Sequence, residues 1–485
     1  MVALSIKEIA DAVGGIVHGD TGITIHSVST NSKNLSPDAL FVPIIGERTD
    51  AHDFINDAFE NGAKVCFTSR ELEYAKDKVY IKVEDTRKAL QMLGTYYRNK
   101  FSIPVIGITG SVGKTTTKEM IAAALETRYR VLKTEGNMNS QVGLPLMMLR
   151  LEPEHEIAVI EMGMSEEGEM GRLADIARPE TAVVTNIGVS HIAQLKTREN
   201  IRKEKLNIIN CFSESSVLFV NGNDDLLCEL IPENGKSLKE FNLCQVTEDI
   251  LTGCKRMAYG TASGCTYLAE NIRTQDGGTR FTYKKVTCDE QKEEKLLLEE
   301  EITLQVLGLH NVYNALAALA VAERYQIPAA IAKEGLKNYL PIAMRGQIKE
   351  INGLTIIDDS YNASPDSMKS GLQVLLAVEN VNRRVAVLAD VKELGEISKQ
   401  CHYDVGVSIS SLKVDALITI GEDAAYIAQA VKDKKSLIET YCFDDNLTAS
   451  DFLMSYLKPG DGILIKGSRG MKTDEIVNYL IAHFK

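Results

Sequence analysis

The stretch Gly107-Ile-Thr-Gly-Ser-Val-Gly-Lys-Thr-Thr-Thr117 decides the fold of the chain around it. Residues 103–109, which run into this stretch, are apolar and rich in β-branched side chains, and they predict a buried parallel strand. Residues 118–127 follow it and have the Ala- and Leu-rich composition of a helix. A glycine-rich turn between such a strand and such a helix predicts a phosphate-binding loop, because backbone N–H groups and the helix N-terminus then face the anion.

The side chains of this loop have predicted roles in nucleotide binding. Lys114 can reach the β- and γ-phosphates, and the Thr115 hydroxyl can bind Mg²⁺. Position 108 is Ile where the longer motif has Gly, so the chain matches the shorter form T-G-x-x-G-K-T. The guanine-reading N-K-x-D motif does not occur, which disfavours a switch GTPase but leaves motors, kinases and ligases open. The predicted ATP-binding residues of the loop are Thr109, Gly110, Ser111, Gly113, Lys114, Thr115 and Thr116.

The composition is that of a globular protein of several domains. A length of 485 residues predicts roughly three domains. The apolar share of 44% and the charged share of 25% exclude a mostly disordered chain. The net charge of −13 gives no general attraction to nucleic acid or anionic membranes, so an anionic ligand must be bound by a local site. No apolar run is long enough for membrane insertion.

Strands that alternate with helices predict an α/β fold built on parallel sheets. We predict a smaller N-terminal αβ domain over residues 1–100, a central phosphate-loop ATPase domain over 101–339 and a Rossmann-like αβ domain over 340–485. In the first domain, Ser5 and Glu8 form a capping box before a helix, and residues 39–45 are strand-like. Further buried strands are predicted at residues 156–161, 181–186, 354–358, 384–388, 416–420 and 462–466.

Residues 265–306 have a different pattern, which predicts antiparallel strands around the turn Gly277-Gly278. The charge-rich residues 289–301 within this region predict a solvated surface element. The nine cysteines form no C-x-x-C pair, and the N-terminal segment has charges at Lys7, Glu8 and Asp11 in place of an unbroken apolar stretch. These features predict a cytoplasmic protein with reduced thiols and without a signal peptide.

Three residues outside the loop are candidates whose roles the local pattern leaves open. Glu161 ends a predicted strand and is well placed for Mg²⁺, but it is equally consistent with a capping or surface acid. His191 follows another strand end, where a single His is more often structural. Lys205 lies on a predicted helix, where a lysine is normally solvated.

Taken together, the motifs resemble the Mur ligases, which join amino acids to the peptide of the cell-wall precursor. The resemblance includes T-G-S-x-G-K-T-T at 109–116, E-M-G at 161–163, N-I-G-x-x-H at 186–191, L-G-L-H-N-V-Y-N at 307–314, D-D-S-Y-N-A-x-P-D-S at 358–367 and K-G-S-R-G-M at 466–471. The last two strings are most similar to the member that adds D-alanyl-D-alanine. The string G-E-R-T-D-A-H-D-F at 46–54 resembles the uridine-binding domain of that enzyme.

The resemblance implies an ATP-dependent ligase that adds D-alanyl-D-alanine to UDP-N-acetylmuramoyl-tripeptide through an acyl phosphate, in peptidoglycan precursor synthesis. Its partners would be these small molecules, and the chain would act as a monomer. It implies that Lys114 and Thr115 hold ATP and a first Mg²⁺ with Glu161, and that His191 helps to hold a second Mg²⁺. Lys205 matches the lysine that CO₂ converts to a carbamate, an anionic metal ligand.

The resemblance assigns the remaining site residues in the same way. The catalytic residues would be Lys114, His191, Lys205 and Arg345. Asn311 and Asn314 match an adenine-side motif, Arg345 an arginine that reaches the γ-phosphate, and Asp359 an acid near the ribose. The implied substrate-binding residues are Ser29, Asn31, Ser32, Arg48, Asn137, Asn139, Tyr361 and Asn362.

The chain departs from the family pattern at Ser140, at Ser29-Thr-Asn-Ser-Lys33, after His191 and at Ala389-Asp-Val-Lys392. These departures keep open a sibling ligase with another amino-acid or dipeptide acceptor. A nucleotide-dependent regulatory protein without ligase chemistry is a further alternative. It is disfavoured because Lys114, Glu161, His191 and Lys205 are all present.

Overall fold

The computed structural model describes residues 1–231, 245–288 and 294–484. It has the α/β architecture predicted from the sequence, with three large sheets that follow one another along the chain. Among the described residues, no helix has the length and apolar character needed to cross a membrane. The charge-rich residues 289–293 and Cys244 lie outside the described residues.

The first sheet contains five strands in the order β2-β7-β6-β5-β4, and only the β2–β7 pair is antiparallel. The capping box at Ser5 and Glu8 is confirmed at the start of α1. The predicted strand at residues 39–45 is shorter than expected, because Pro43 lacks the N–H that a continuing ladder needs. The elements are β1 Leu4–Ser5, α1 Ile6–Val13, β2 Ile16–His18, β3 Thr24–Ile25, β4 Ser27–Ser29, β5 Ala39–Phe41, α2 Ile55–Glu60, β6 Ala63–Thr68, β7 Val79–Lys82 and α3 Thr86–Arg98.

The second sheet contains nine strands in the order β16-β15-β14-β13-β12-β11-β8-β10-β9. The strands from β8 to β14 pair in parallel, and β14, β15 and β16 form the predicted antiparallel unit. The elements are β8 Val105–Thr109, α4 Lys114–Leu125, β9 Val131–Lys133, α5 Gly143–Met148, β10 Ile157–Glu161, α6 Glu169–Ala177, β11 Thr181–Val184, α7 Ile192–Leu195, α8 Arg198–Leu206, β12 Val217–Asn221, α9 Gln245–Gly253, β13 Lys255–Gly260, β14 Tyr267–Gln275, β15 Gly278–Cys288, β16 Glu294–Leu304, α10 Leu309–Arg324 and α11 Ala329–Lys337.

The third sheet contains six strands in the order β17-β18-β22-β19-β20-β21, all parallel except the β17–β18 pair. Its four predicted strands, at residues 354–358, 384–388, 416–420 and 462–466, are confirmed. The elements are β17 Gln347–Ile351, β18 Leu354–Asp358, α12 Pro365–Ala377, β19 Arg383–Ala389, α13 Ser398–Ile409, β20 Ala416–Ile420, α14 Ala425–Asp433, β21 Glu439–Phe443, α15 Asn446–Tyr456, β22 Asp461–Lys466 and α16 Asp474–His483.

The first and second sheets share one continuous apolar core. Helix α3 packs against α5 and α6, and the Tyr97 hydroxyl donates to the Leu151 carbonyl at 2.7 Å. The Arg98 guanidinium donates to the carbonyls of Ala177, Phe101 and Ile103. The third sheet has an apolar cluster on each face, and one of them includes Leu307 and contacts Ile192 from the central part. The first two parts of the chain are therefore joined more extensively than either is joined to the third.

Candidate active site

The phosphate loop joins the buried strand β8 to helix α4, and its glycines permit a backbone path that other residues could not follow. Gly110 has φ +147°, and a Cβ atom there would lie 1.9 Å from Thr185 Oγ1. Gly113 has φ +85° and precedes the first residue of α4. The helix begins at Lys114, four residues before the predicted stretch. Asn186, to which the sequence assigned no role, both donates to the Val112 carbonyl at 3.0 Å and accepts from the Val112 N–H at 2.8 Å.

The ammonium of Lys114 folds back onto its own loop. Lys114 Nζ donates to the Gly110 carbonyl at 2.7 Å. Burial lowers the pKa of Lys114, Glu161 raises it and Arg345 lowers it. These two charged groups are therefore close enough to influence the phosphate loop electrostatically.

Glu161 at the end of β10 is buried, with an exposed fraction of only 2%. Its Oε1 atom accepts a 2.7 Å hydrogen bond from Asn139 Nδ2, whereas its buried Oε2 atom has no hydrogen-bond partner. A buried carboxylate oxygen without a donor is costly, and a bound cation would remove that cost. The buried Thr115 borders the same cavity. A hydroxyl and a carboxylate oxygen suit Mg²⁺, so these residues fit the predicted metal.

Lys205, near the end of α8, is buried, contrary to the ordinary expectation for a helical lysine. Burial lowers the pKa of Lys205 well below its usual range, Lys114 lowers it further and Glu204 raises it. The Glu204 carboxylate accepts hydrogen bonds from the backbone N–H groups of Gly168 and Met170, at 3.0 and 2.8 Å. Lys205 is therefore buried close enough to a second cation, Lys114, for its proton to be held less tightly than usual.

His191 lies where the central part of the chain meets the third part. His191 Nδ1 is 2.9 Å from Glu393 Oε2, and both residues have a left-handed backbone, with φ +62° and +67°. The hydrogen bond from His191 lowers the pKa of the Glu393 carboxyl. Glu393 was not among the residues that the sequence singled out, because no local pattern indicates that it meets His191.

Asn311 and Asn314 connect the start of α10 to the phosphate-loop helix. Asn314 Oδ1 accepts from the Thr117 hydroxyl at 2.9 Å, and its Nδ2 donates to Asn311 Oδ1 at 3.2 Å. Asn311 in turn donates to the Leu307 carbonyl at 2.8 Å. This chain of hydrogen bonds fixes both amides next to the loop that contains Gly113.

The third part of the chain contributes a cluster of polar side chains around Lys466 and Arg345. Asp359 Oδ2 accepts a 2.6 Å hydrogen bond from Lys466 Nζ, which also donates to the Asn362 carbonyl at 2.9 Å. The guanidinium carbon of Arg345 lies 4.0 Å from the centre of the Tyr361 ring. Lys466 therefore links the loop after β18 to the end of β22, a role that only the fold shows.

A cavity of about 690 Å³ opens between the central and third parts of the chain. It brings together most of the predicted nucleotide and metal residues. The predicted residues that line it are Ser111, Gly113, Lys114, Thr115, Thr116, Asn137, Asn139, Glu161, Asn311, Asn314, Arg345, Asp359, Tyr361 and Asn362. His310, Tyr339 and Lys466 line it too, although they were not predicted.

The other predicted residues do not line this cavity. Thr109, Gly110, His191 and Lys205 belong to the surrounding central part of the chain. Ser29, Asn31, Ser32 and Arg48 lie in the first part, where the Ser29 hydroxyl oxygen accepts from the Asn31 N–H at 3.0 Å and Asn31 Oδ1 accepts from the Lys33 N–H at 2.9 Å. The structure thus separates the predicted uridine-side residues from the nucleotide cavity.

Comparisons with known proteins agree across nearly the whole chain. Three family models match: the Mur ligase middle domain over residues 108–322, the Mur ligase glutamate ligase domain over 344–469, and the Mur ligase family catalytic domain over 24–98. The UDP-N-acetylmuramoyl-tripeptide–D-alanyl-D-alanine ligase of Bacillus subtilis is 38% identical over 487 residues, which cover 99% of each chain.

Solved structures of Mur ligases are also similar to this chain along nearly its whole length. MurF from Acinetobacter baumannii superposes with a TM-score of 0.86 at 27% identity and covers 99% of both chains. MurF from Thermotoga maritima, solved in complex with ADP, has a TM-score of 0.78 at 26% identity and covers 94% of this chain and 97% of its own. With its phosphate loop, its buried acid and this likeness over its full length, the chain belongs to the Mur ligase family.

Proposed function

We propose that the chain is an ATP-dependent ligase that joins D-alanyl-D-alanine to UDP-N-acetylmuramoyl-tripeptide in peptidoglycan precursor synthesis. The observation that carries the proposal is the cavity itself. Its lining combines a phosphate loop, a buried acid with a free oxygen, and an arginine from the third part of the chain. The full-length likeness to ligases of that name supports the choice of substrates.

Each domain has its own task in this proposal. Residues 1–100 bind the UDP-sugar through Ser29, Asn31, Ser32 and Arg48, since the net charge of −13 makes local groups necessary for an anion. Residues 101–339 bind ATP, and residues 340–485 bind the dipeptide and close on the nucleotide. We further propose that the enzyme acts as a cytoplasmic monomer, because ATP is its cosubstrate and one chain contains all three parts.

The first chemical step is activation of the peptide carboxylate, which is a poor electrophile. Its oxygen attacks the γ-phosphorus of ATP, ADP leaves with the electron pair of the broken P–O bond, and an acyl phosphate forms. Lys114 exchanges its bonds to the loop carbonyls for phosphate oxygens and, with Arg345, neutralises the negative charge of the transition state. Asn311 and Asn314 orient the adenine side, and Asp359 lies near the ribose.

Two magnesium sites complete the proposed arrangement. Thr115 and Glu161 would hold the first ion, and His191 and Lys205 the second, with Asn137 and Asn139 on the loop beside Glu161. Bound Mg²⁺ supplies charge neutralisation for the phosphate oxygens. Burial lowers the pKa of Lys205 and so favours its unprotonated amine, which would attack the carbon of CO₂ and release a proton. The carbamate that forms would be an anionic metal ligand.

In the second step the amine of D-alanyl-D-alanine attacks the acyl carbon. A tetrahedral intermediate forms, the amine loses a proton, and phosphate leaves with the electrons of the C–O bond. Water would hydrolyse the acyl phosphate, so the cavity must be closed while this intermediate exists. The position of Arg345 at the boundary between the central and third parts suits such a closure.

The deciding experiment measures phosphate release with ATP, Mg²⁺ and UDP-N-acetylmuramoyl-tripeptide, with and without D-alanyl-D-alanine, followed by mass spectrometry of the product. We expect release that depends on the dipeptide and a product heavier by one dipeptide minus water. Lys114→Ala serves as the inactive control. Turnover with a different amine alone would instead assign a sibling ligase, and ATP binding without turnover for any amine would favour the regulatory alternative.

A further inference from the structure

The planar face of the Arg345 guanidinium packs on the Tyr361 ring, whereas its edge, which carries the N–H donors, does not take part in this contact. Its carbon atom lies 4.0 Å from the centre of the Tyr361 ring, well within the range of a cation–π contact. Among the described residues, no ion pair or hydrogen bond of the Arg345 side chain accompanies this contact. The planar guanidinium can therefore present its N–H donors to a ligand while its face remains on the ring.

The backbone supports the same arrangement. The Tyr361 N–H donates to the Met344 carbonyl at 3.1 Å, so that the loop after β18 is joined to the residue before Arg345. Met344 and Gly346, on either side of Arg345, have φ +65° and +71°. Two left-handed residues around one arginine define a tight bend that projects its side chain.

The lining of the cavity indicates where that side chain is directed. Arg345 lines the same cavity as Tyr361 and the phosphate-loop residue Lys114. A second arginine, Arg469, has its guanidinium carbon 5.9 Å from the same ring, but it is also paired with Asp474 at 3.2 Å. Of the two arginines beside the Tyr361 ring, Arg345 is therefore the one whose N–H groups are available to bind phosphate.

We propose that Tyr361 is a positioning residue that holds the Arg345 guanidinium edge-on to the γ-phosphate of ATP. This role replaces the substrate contact predicted from the sequence, and it rests on the proposed function. An arginine that engages only the third phosphate makes ATP bind better than ADP. Loss of the aromatic ring should therefore reduce the preference for the triphosphate without affecting the binding of the diphosphate.

The test compares the dissociation constants of a non-hydrolysable ATP analogue and of ADP, both with Mg²⁺, by calorimetry on the full chain. For Tyr361→Leu we expect the analogue to bind about 2- to 30-fold more weakly, the range of a cation–π contact, with ADP unchanged within about twofold. Tyr361→Phe should retain most of the wild-type preference for the ATP analogue over ADP, because it keeps the aromatic ring. In an Arg345→Ala background, Tyr361→Leu should have no further effect on the analogue.

Tyr426→Leu is the matched control, since the Tyr426 ring also faces a cation, Lys399 Nζ at 5.4 Å, away from the cavity. Equal weakening of ADP and the analogue by Tyr361→Leu would overturn the inference in favour of a merely structural role. An unchanged nucleotide preference with a raised KM for either peptide substrate would overturn it in favour of a substrate contact. Because the binding test needs no turnover, a failure of the proposed ligase activity would be recognised separately in the phosphate-release assay.

Discussion

Three ionisable groups in and beside the cavity determine its chemistry, namely the buried Glu161 and Lys205 and the partly buried Lys114. Burial lowers the pKa of Lys114 and of Lys205, the charge of Lys114 lowers that of Lys205 further, and Glu161 offers a carboxylate oxygen that has no donor. Such a cluster is unfavourable in the absence of ligands, because each charge is partly removed from water. Phosphate, CO₂ and a divalent cation would each relieve a part of that cost.

Lys205→Met should stabilise the protein in CO₂-free buffer at neutral pH. The folded-state pKa of Lys205 is lowered, so the unfolded chain binds a proton that the folded chain does not, and wild-type stability rises as the pH approaches about 10.4. The difference in stability between Lys205→Met and the wild-type protein should therefore become smaller as the pH rises. Melting curves from pH 6.5 to 9.5 measure it, with Lys203→Met on the same helix as the control. A pH-independent difference would contradict the prediction.

Glu161→Gln should remove most of the response to Mg²⁺. The amide preserves the shape of the side chain and can still accept from Asn139, but it lacks the anionic oxygen that a cation requires. We expect the Mg²⁺ concentration for half-maximal phosphate release to rise at least about tenfold, and the melting shift caused by Mg²⁺ with ADP to disappear. The exposed acid Glu167→Gln is the control. An unaltered Mg²⁺ titration would exclude Glu161 from the metal site.

The sequence could predict the residues of this cluster only where a motif names them. Lys114 stands in a phosphate-loop pattern, and Glu161 ends a buried strand, so local reasoning reaches both. Lys466 and Glu393 meet their partners Asp359 and His191 across long stretches of chain, and no spacing rule indicates such contacts.

At the scale of elements, the phosphate-loop helix α4 is held by two helices from much later in the chain. Helices α10 and α11 pack on α4 within one apolar cluster, which includes Met120 and Leu125. Gly335 of α11 approaches α4 so closely that a Cβ atom there would lie 2.0 Å from the Ala123 carbonyl oxygen. That contact involves backbone, which cannot move aside as a flexible side chain can.

Gly335→Ala should destabilise the central part of the chain, although Ala is the better helix former by about 1 kcal/mol. The added methyl group should push α11 away from α4, and this should lower the free energy of unfolding by about 1–3 kcal/mol, more than the gain in helix propensity. The readout is hydrogen exchange of the α4 amides together with the melting temperature. Gly253→Ala is the matched control, because a Cβ at the end of α9 would meet no atom within 4 Å. Increased protection of α4 in Gly335→Ala would reverse this interpretation.

The elements themselves could be predicted wherever the apolar pattern is unbroken. β8, β10 and the four inner strands of the third sheet are continuous apolar runs, and each formed close to its expected position. The strand from residue 39 ended early at Phe41, because a proline interrupts the run. Strand order could not be obtained in this way, since it depends on contacts between distant segments.

At the scale of the molecule, the strength of the connections differs along the chain. The first and central parts share an apolar core, which favours their movement as one body. The third part meets the central part through a smaller apolar contact, which includes Leu307 and Ile192, and through the polar contact of His191 with Glu393. Motion at this second boundary would open and close the cavity.

Glu393→Ala should shift the unliganded protein toward more extended arrangements. The Glu393 side chain is 58% exposed, so the pair should contribute no more than about 1 kcal/mol, or roughly a fivefold change in the ratio of arrangements. Small-angle scattering should show a larger radius of gyration for the variant at low salt and no difference at 0.5 M NaCl. Glu396→Ala in the same loop is the control. Identical scattering at low salt would mean that other contacts set the arrangement.

The packing of α10 on α4 also has a consequence for biosynthesis. Helix α4 ends at residue 125 and α10 begins at residue 309, so the ribosome must add a further 184 residues before it reaches even the first residue of the helix that covers α4. At about 5–20 residues per second this delay lasts roughly 10 to 40 s. Throughout this delay the residues of α4 that pack on α10, among them Met120 and Leu125, lack their apolar partner, and we expect the nascent chain to be most prone to aggregation there.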